Sequence, residues 1–186
     1  MIEIRIHGRG GQGNVVAAYL LATAAFETGR FAQAFPNFGA ERRGAPVAAF
    51  VRIADRPIRR RCQVREPAFL IIQDDNLLHL PDITAGLQAG GAVLVNSARD
   101  SDALAAQHDH PLIALPADAL AQEILGRPVP NTALLAAFLA LTGLLPQSAL
   151  LAALAERFRG EILERNRTLV ERAAALVEAG AWQGEA

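Results

Sequence analysis

Residues 4–13 read Ile4-Arg5-Ile6-His7-Gly8-Arg9-Gly10-Gly11-Gln12-Gly13. A short apolar strand thus leads directly into a loop with four glycines in six residues, and an apolar, helix-like stretch follows from Asn14 to about Glu27. Because glycine has no Cβ, such a loop can bring backbone N–H groups close to a phosphate or to a tightly packed partner. The order of strand, glycine loop and helix predicts the first unit of an α/β fold.

The glycine spacing satisfies G-x-G-x-x-G, but a complete dinucleotide fingerprint also has an acid about 20 residues further on, at the end of the second strand. We predict that strand over Phe31–Phe35, where Gln33 and Phe35 stand in place of the acid. The sequence therefore disfavours NAD. It leaves open NADP, and also a loop that only allows the first helix to pack closely on the sheet.

The net charge, the absence of lysine and the single cysteine exclude or disfavour several classes of function. The 186 residues carry a net charge of −1, so no global field indicates a nucleic-acid or membrane partner. All 18 basic residues are arginine, which excludes a Schiff-base or phosphate-loop lysine. The single cysteine, Cys62, cannot form an internal disulfide or hold an iron–sulfur cluster alone. We expect a cytoplasmic protein without a membrane-spanning segment.

Apolar segments that alternate with helical ones predict an α/β, Rossmann-like, mostly parallel sheet with an inserted β-hairpin. In the hairpin, Ala45–Ile53 is expected to pair with a return strand over Ile58–Cys62, after a turn at Asp55-Arg56-Pro57. The other predicted strands are Ile2–His7, Phe31–Phe35, Ala68–Gln73, Gly91–Asn96 and Leu112–Leu115.

The chain is expected to become helical towards its end. Residues 1–186 are predicted as one domain, with an α/β core over about 1–130 and a helical part over about 131–186. Asn131 is expected to be the N-cap of one of the helices. The predicted helices are Gln12–Thr28, Ala117–Leu125, Thr132–Thr142, Pro146 to about Phe158, and Glu161–Ala179.

No catalytic or metal-binding constellation is evident, since nucleophile elbows, paired cysteines and His-Glu-x-x-His helices are all absent. His108 and His110 are too few for a metal site, and we expect a solvated loop there. His7 ends the first strand, and we expect its imidazole to bond to the glycine loop. Asp74-Asp75 follows a buried strand, where a helix cap is favoured over a ligand-binding role.

The loop over residues 35–46 combines two aromatic side chains, Phe35 and Phe38, with an arginine pair, Arg42 and Arg43. Arginine forms forked hydrogen bonds to phosphates and carboxylates, and arginine with aromatics is typical of interface hot spots. The alternative is a solvated surface loop. The run Arg59-Arg60-Arg61 has no aromatic neighbours, and we interpret it as a solvated edge.

Three stretches, in order along nearly the whole chain, resemble the gamma subunit of 2-oxoacid:ferredoxin (acceptor) oxidoreductases, the family that includes pyruvate and 2-ketoisovalerate oxidoreductases. The first is the glycine loop over residues 5–13. The second is Ala32-Gln33-Ala34-Phe35-Pro36-Asn37-Phe38-Gly39-Ala40-Glu41-Arg42-Arg43-Gly44-Ala45-Pro46-Val47. The third is Pro130-Asn131-Thr132-Ala133-Leu134-Leu135, followed by Thr142-Gly143.

The resemblance implies a Rossmann-like subunit without catalytic residues of its own, in a complex that oxidatively decarboxylates a 2-oxoacid to an acyl-CoA. Thiamine diphosphate with Mg²⁺ would lie on the alpha and beta subunits, and the 4Fe-4S clusters on the beta and delta subunits. Coenzyme A would be the co-substrate, and ferredoxin or another acceptor would take the electrons. This chain would bind none of these cofactors alone.

The resemblance also gives the candidate residues a ligand class. The glycine loop and the arginine pair would face the phosphates of coenzyme A, or else a neighbouring subunit; these candidates are Gly8, Arg9, Gly10, Gly11, Gln12, Gly13, Arg42 and Arg43. For Phe35, Phe38, Arg42 and Arg43 we favour the subunit interface. The alternatives are a free-standing NADP- or nucleotide-binding module and an assembly scaffold whose loop binds only protein.

Overall fold

The structure is a computed structural model that describes residues 1–37 and 45–184. Its six strands are β1 (Ile2–Arg9), β2 (Phe31–Pro36), β3 (Pro46–Ala54), β4 (Phe69–Ile72), β5 (Ala92–Asn96) and β6 (Leu112–Leu115). They form one sheet in the order β2-β3-β1-β4-β5-β6. Only β3 runs against the others, because it pairs antiparallel with both β1 and β2.

Six α-helices and one short 3-10 helix, Asp75–His79, connect and follow the strands in the described residues. The α-helices are α1 (Asn14–Glu27), α2 (Ser101–Ala105), α3 (Ala117–Leu125), α4 (Asn131–Thr142), α5 (Gln147–Arg157) and α6 (Gly160–Ala174). The last four follow the sheet in sequence. No helix of the described residues is both long enough and apolar enough to cross a membrane.

The predicted fold class is confirmed, but the position of the hairpin is wrong. Residues 58–62 form no strand, and β3 instead pairs with β2, in a register that matches Phe31 with Ala54. The reason lies in Arg59-Arg60-Arg61, which are all exposed. A half-buried strand needs alternating apolar side chains, and three consecutive arginines cannot supply them.

Two helix ends also differ from the prediction. Helix α4 begins at Asn131 itself, so Pro130 and not Asn131 is its N-cap. Helix α6 ends at Ala174 and not at Ala179. The following turns return to α4, where Gly180 N donates to Ala140 O at 2.8 Å and Trp182 N donates to Leu141 O at 2.9 Å. These tertiary hydrogen bonds replace the last helical turns.

One face of the sheet is covered by helices from both ends of the chain. All of β4 and β5 is buried, as expected of central parallel strands. Helix α4 is buried on nearly every side, and its Phe138 ring meets Phe69 of β4 edge-on at 5.3 Å. Trp182 stacks on Phe69 at 6.1 Å, which ties the C-terminal turns to the same core.

The antiparallel part of the sheet contains a buried ion pair between Arg52 and Glu3. Arg52 of β3 is fully buried, and its Nε donates to Glu3 Oε1 at 2.6 Å. Its two remaining nitrogens donate to Gln33 Oε1 at 3.0 Å and to Cys62 O at 2.7 Å. Segment 58–62 thus covers β3 as an irregular chain whose backbone completes this network, which we call the Arg52 network.

The carboxyl ends of the parallel strands meet at one edge of the sheet. From β1 the chain crosses towards β2, whereas from β4 it proceeds to β5 and β6 on the opposite side. The gap between the ends of β1 and β4 is therefore the topological switch point of the sheet, where α/β proteins usually place ligands.

Candidate functional site

The glycine loop follows β1 at this edge, and part of its backbone is already hydrogen bonded. Gly10 N donates to Ala45 O at 3.0 Å, and Gln12 N donates to Arg9 O at 3.0 Å. The amide of Arg9 donates to Gln12 Oε1 at 2.6 Å. Three loop amides are thus engaged within the chain, and they are not available to an incoming phosphate.

Two of the loop glycines are required by close packing. A Cβ at Gly8 would lie 2.2 Å from Asn14 Oδ1, and one at Gly13 would lie 3.0 Å from Asn131 Nδ2. Gly13 also has a backbone φ of +84°, a value that residues with a Cβ rarely adopt. Asn131 therefore brings the Pro-Asn-Thr stretch against the glycine loop, so two motifs more than 100 residues apart form one site.

Arg9 extends from the loop to the end of β4. Its Nε donates to Asp74 Oδ2 at 2.5 Å, while Asp74 Oδ1 accepts from Asn76 N and caps the 3-10 helix. Burial alone would raise the pKa of Asp74, but the bonds from Arg9 and Asn76 outweigh it and lower that pKa below its usual value. The predicted cap is confirmed, and the same carboxylate also holds Arg9.

The end of β2 does not provide a ribose site beside the loop. In a dinucleotide fold the first two strands are neighbours, whereas here β3 lies between them. At a strand spacing of about 4.8 Å, this places β2 about 10 Å from β1. Gln33 bonds to Arg52, and the Phe35 ring lies 5.2 Å from the Arg52 guanidinium carbon. The two positions without an acid therefore serve the Arg52 network.

The candidate interface residues divide into two groups. Phe35 is half-buried, and its ring contacts Phe50 at 5.2 Å. Phe38, Arg42 and Arg43 lie outside the described residues. The interface role of all four, and the coenzyme A role of the arginine pair, stay predictions.

His7 faces away from the helical core, in a pocket of about 360 Å³ that also contains Arg5 and Arg65. No partner for its Nε2 is found in the described part of the chain, so the expected bond to the glycine loop is not supported at that atom. Burial, with a smaller contribution from the Arg5 charge, lowers the pKa of His7 to about 3. The imidazole is therefore neutral near pH 7.

Sequence reasoning missed a polar cleft of about 430 Å³ beside the glycine loop. It lies at the carboxyl ends of β4, β5 and β6, and of its lining residues the sequence motifs single out Gln12, Asp74 and Asp75. A partial signal was available, because polar residues stand at the ends of both fully buried strands, β4 and β5. The lining residues are Gln12, Gln73, Asp74, Asp75, Asn76, Asn96, Ser97, Ala98, Pro116, Asp118 and Ala119.

Residues 1–37 and 45–184 contain no recognisable metal-binding group. No group of three or more His, Cys, Asp or Glu side chains in those ranges is arranged to hold a metal ion. His108 and His110 accordingly join no such group. Cys62 is an exposed free thiol, and a single thiolate cannot hold an iron–sulfur cluster. An iron–sulfur cluster does not fit the donor set that these residues offer.

Comparison with known proteins decides the family. The model of the pyruvate ferredoxin/flavodoxin oxidoreductase family matches residues 3–176. The chain belongs to this family. It is 47% identical over 176 residues to the pyruvate/ketoisovalerate oxidoreductases common subunit gamma of Thermococcus kodakarensis, with 93% of this chain and 95% of that protein covered. The resemblance to gamma subunits is thereby confirmed.

Two further members of the family agree. Pyruvate synthase subunit PorC of Methanothermobacter thermautotrophicus is 48% identical over 166 residues, which cover 89% of this chain and 90% of that protein. The crystal structure of pyruvate oxidoreductase subunit PORC from Thermotoga maritima superposes with a TM-score of 0.84 at 34% identity, over 94% of this chain and 95% of that one. The described fold is thus that of a gamma-type family member.

Proposed function

We propose that this chain is the non-catalytic gamma subunit of a complex that oxidatively decarboxylates a 2-oxoacid to an acyl-CoA. The observation that carries the proposal is the identity of 47% across 93% of the chain to a common subunit gamma. The substrate class we expect is the 2-oxoacids, of which the relative's name gives pyruvate and ketoisovalerate.

The chemistry of the described residues is consistent with a non-catalytic role in the complex. They offer no set of ligands for an iron–sulfur cluster or a metal ion, and His7 is neutral and half-buried. Thiamine diphosphate, which stabilises the carbanion formed on decarboxylation, and the 4Fe-4S clusters would lie on alpha, beta and delta subunits. Ferredoxin or another acceptor would receive the electrons from the complex.

We place the approach of coenzyme A beside the glycine loop. Because the amides of Arg9, Gly10 and Gln12 already bond within the chain, the phosphate contacts would come from arginine side chains. Arg9 is partly exposed at the loop, and Arg42 and Arg43 follow β2 in sequence. Arginine forks suit phosphates and also suit carboxylates of a neighbouring subunit.

Replacement of Arg42 and Arg43 by alanine in the co-expressed complex tests this role. We expect weaker assembly, or an apparent KM for coenzyme A that rises about tenfold while KM for the 2-oxoacid is unchanged, because about one charge-assisted bond is lost. The matched control replaces the exposed residues Arg59 and Arg61 by alanine, which removes the same amount of positive charge. Unchanged assembly and unchanged kinetics would refute the proposed role of the arginine pair.

Activity of the isolated chain tests the wider proposal. Alone it should not oxidise a 2-oxoacid in the presence of coenzyme A and ferredoxin, and activity should return with the other subunits. Turnover by the isolated chain would contradict a non-catalytic role. Micromolar binding of NADPH in a calorimetric titration would favour the nucleotide-binding alternative, against which the position of β3 between β1 and β2 argues.

A further inference from the structure

The polar cleft at the ends of β4, β5 and β6 is negatively charged. Its lining contains three carboxylates, and no arginine or histidine is among the lining residues. Asp74 is compensated by Arg9, but Asp75 and Asp118 have no cationic partner in the described residues. Two uncompensated negative charges repel a phosphate and attract a cation. We call this site the acidic cleft.

Both uncompensated carboxylates are held in place and each keeps one oxygen open. Asp75 Oδ2 accepts from Ser97 Oγ at 2.6 Å, and Asp118 Oδ2 accepts from Asn96 Nδ2 at 2.8 Å. Asp118 N also donates to Asn96 Oδ1 at 3.1 Å, so Asn96 fixes the start of α3. In the ranges the structure describes, neither Oδ1 has a donor. The carboxylates are therefore preorganised acceptors.

A second observation indicates that a ligand belongs here. Gln73 lines the cleft and has no exposed surface, yet neither Oε1 nor Nε2 of its side chain has a hydrogen-bond partner in the described residues. Its backbone, in contrast, is satisfied, because Gln73 N donates to His7 O and Gln73 O accepts from Asn96 Nδ2. A buried amide without partners is rare in native proteins. Oε1 adds a third acceptor to the two carboxylate oxygens.

We propose that the acidic cleft receives a basic side chain, an arginine or a lysine, from a neighbouring subunit of the oxidoreductase complex. Its donors would bond to Asp75, Asp118 and Gln73 Oε1, and a carbonyl of the same partner segment would accept from Gln73 Nε2. Charge complementarity selects this occupant over an anionic one. The inference rests on the proposed function, since it requires a complex in which this chain is a subunit.

Carbodiimide labelling of the wild-type complex tests the inference without any substitution. Asp75 and Asp118 should be protected at least tenfold in the intact complex, and should become labelled when about 1 M salt screens the charges and dissociates the subunits. Glu66 and Asp109, which are exposed and precede β4 and β6 at the opposite sheet edge, should label equally in both states. Equal labelling of Asp75 and Asp118 in both states would overturn the inference.

The double variant Asp75→Asn with Asp118→Asn provides the quantitative test. Asparagine keeps the size and the acceptor oxygen for Ser97 and Asn96, but removes both charges. We expect the dissociation constant of the subunit to rise tenfold or more, and to lose most of its salt dependence. The control Glu66→Gln with Asp109→Asn removes the same charge and should leave the dissociation constant unchanged. An unchanged constant in the first variant would overturn the inference.

The outcomes separate this inference from the proposed function. A chain that co-elutes with no other subunit contradicts the proposed function. A chain that co-elutes, but whose cleft carboxylates are neither protected nor required, contradicts only the inference. Protection of Asp75 and Asp118 in the chain purified alone, lost on extensive dialysis, would assign the cleft to a small cation and would also overturn it.

Discussion

Arg52 and Gln73 are both polar side chains with no exposed surface, and they lie in opposite halves of the sheet. Arg52, in the antiparallel half, donates to Glu3, Gln33 and Cys62 O and stacks near Phe35. Gln73, at the end of the parallel half, has no partner for its side-chain amide in the part of the chain that the structure describes. The first cluster is complete within the chain, whereas the second has unpartnered polar atoms in the described residues, and we propose above that another subunit completes it. Burial alone therefore does not distinguish a structural polar group from a binding site.

The substitution Arg52→Met gives the largest expected effect. It leaves the carboxylate of Glu3 buried without its main partner, so the free energy of unfolding should fall by about 3–5 kcal/mol. Urea unfolding followed by the fluorescence of Trp182, the only tryptophan, measures this loss. The control is Arg30→Met, since the Arg30–Asp55 ion pair is solvent-exposed on the Asp55 side and should contribute at most about 1 kcal/mol.

Equal losses in the two variants would mean that the Arg52 network is no stronger than a surface ion pair. An Arg52→Met variant of unchanged stability would contradict the structural role given to the antiparallel half.

The pH dependence of stability gives an intermediate effect. The folded-state pKa of His7, at about 3, lies below its unfolded value near 6.5, so the unfolded chain binds more protons between these values. Stability contributed by neutral His7 is complete above pH 6.5 and is lost as the pH falls towards 3. Asp74 acts in the same direction but at lower pH, because its contribution is present above its unfolded pKa near 3.8 and is lost only as the pH falls through its lowered folded pKa.

A comparison of thermal unfolding at pH 7 and pH 5 therefore measures the contribution of His7 to stability separately from that of Asp74. The wild-type Tm should fall over this interval, and His7→Gln, which does not titrate, should show a smaller fall. Identical pH profiles of the two proteins would contradict the desolvated, neutral state of His7.

Local patterns made most of the fold predictable. The glycine loop, the apolar runs of β4 and β5, and the helix starts and stops were enough to place the six observed strands. The return strand over 58–62 failed because its arginines favour solvent, while its backbone is held by Arg52 from another strand. Such a contact depends on tertiary packing and leaves no local pattern.

The candidate site was only half predictable. Sequence motifs indicated Gly8–Gly13 and the Pro-Asn-Thr stretch, but not that Asn131 packs against Gly13. Gln73 follows β4, Asn96 ends β5 and Asp118 lies in the first turn of α3. Only the strand order brings them into one cleft. Whether a buried amide has a partner depends on three-dimensional neighbours, so Gln73 could not be distinguished from an ordinary strand-end residue.

The Gln73→Met variant tests the contrast between the two halves most directly. Methionine has a similar size and removes the unpartnered amide, so the isolated chain should gain about 1–2 kcal/mol of unfolding free energy, while its dissociation constant from the other subunits should rise severalfold. Urea unfolding and subunit binding, measured on the same preparation, give both numbers. A less stable isolated chain that binds its partners normally would contradict the account.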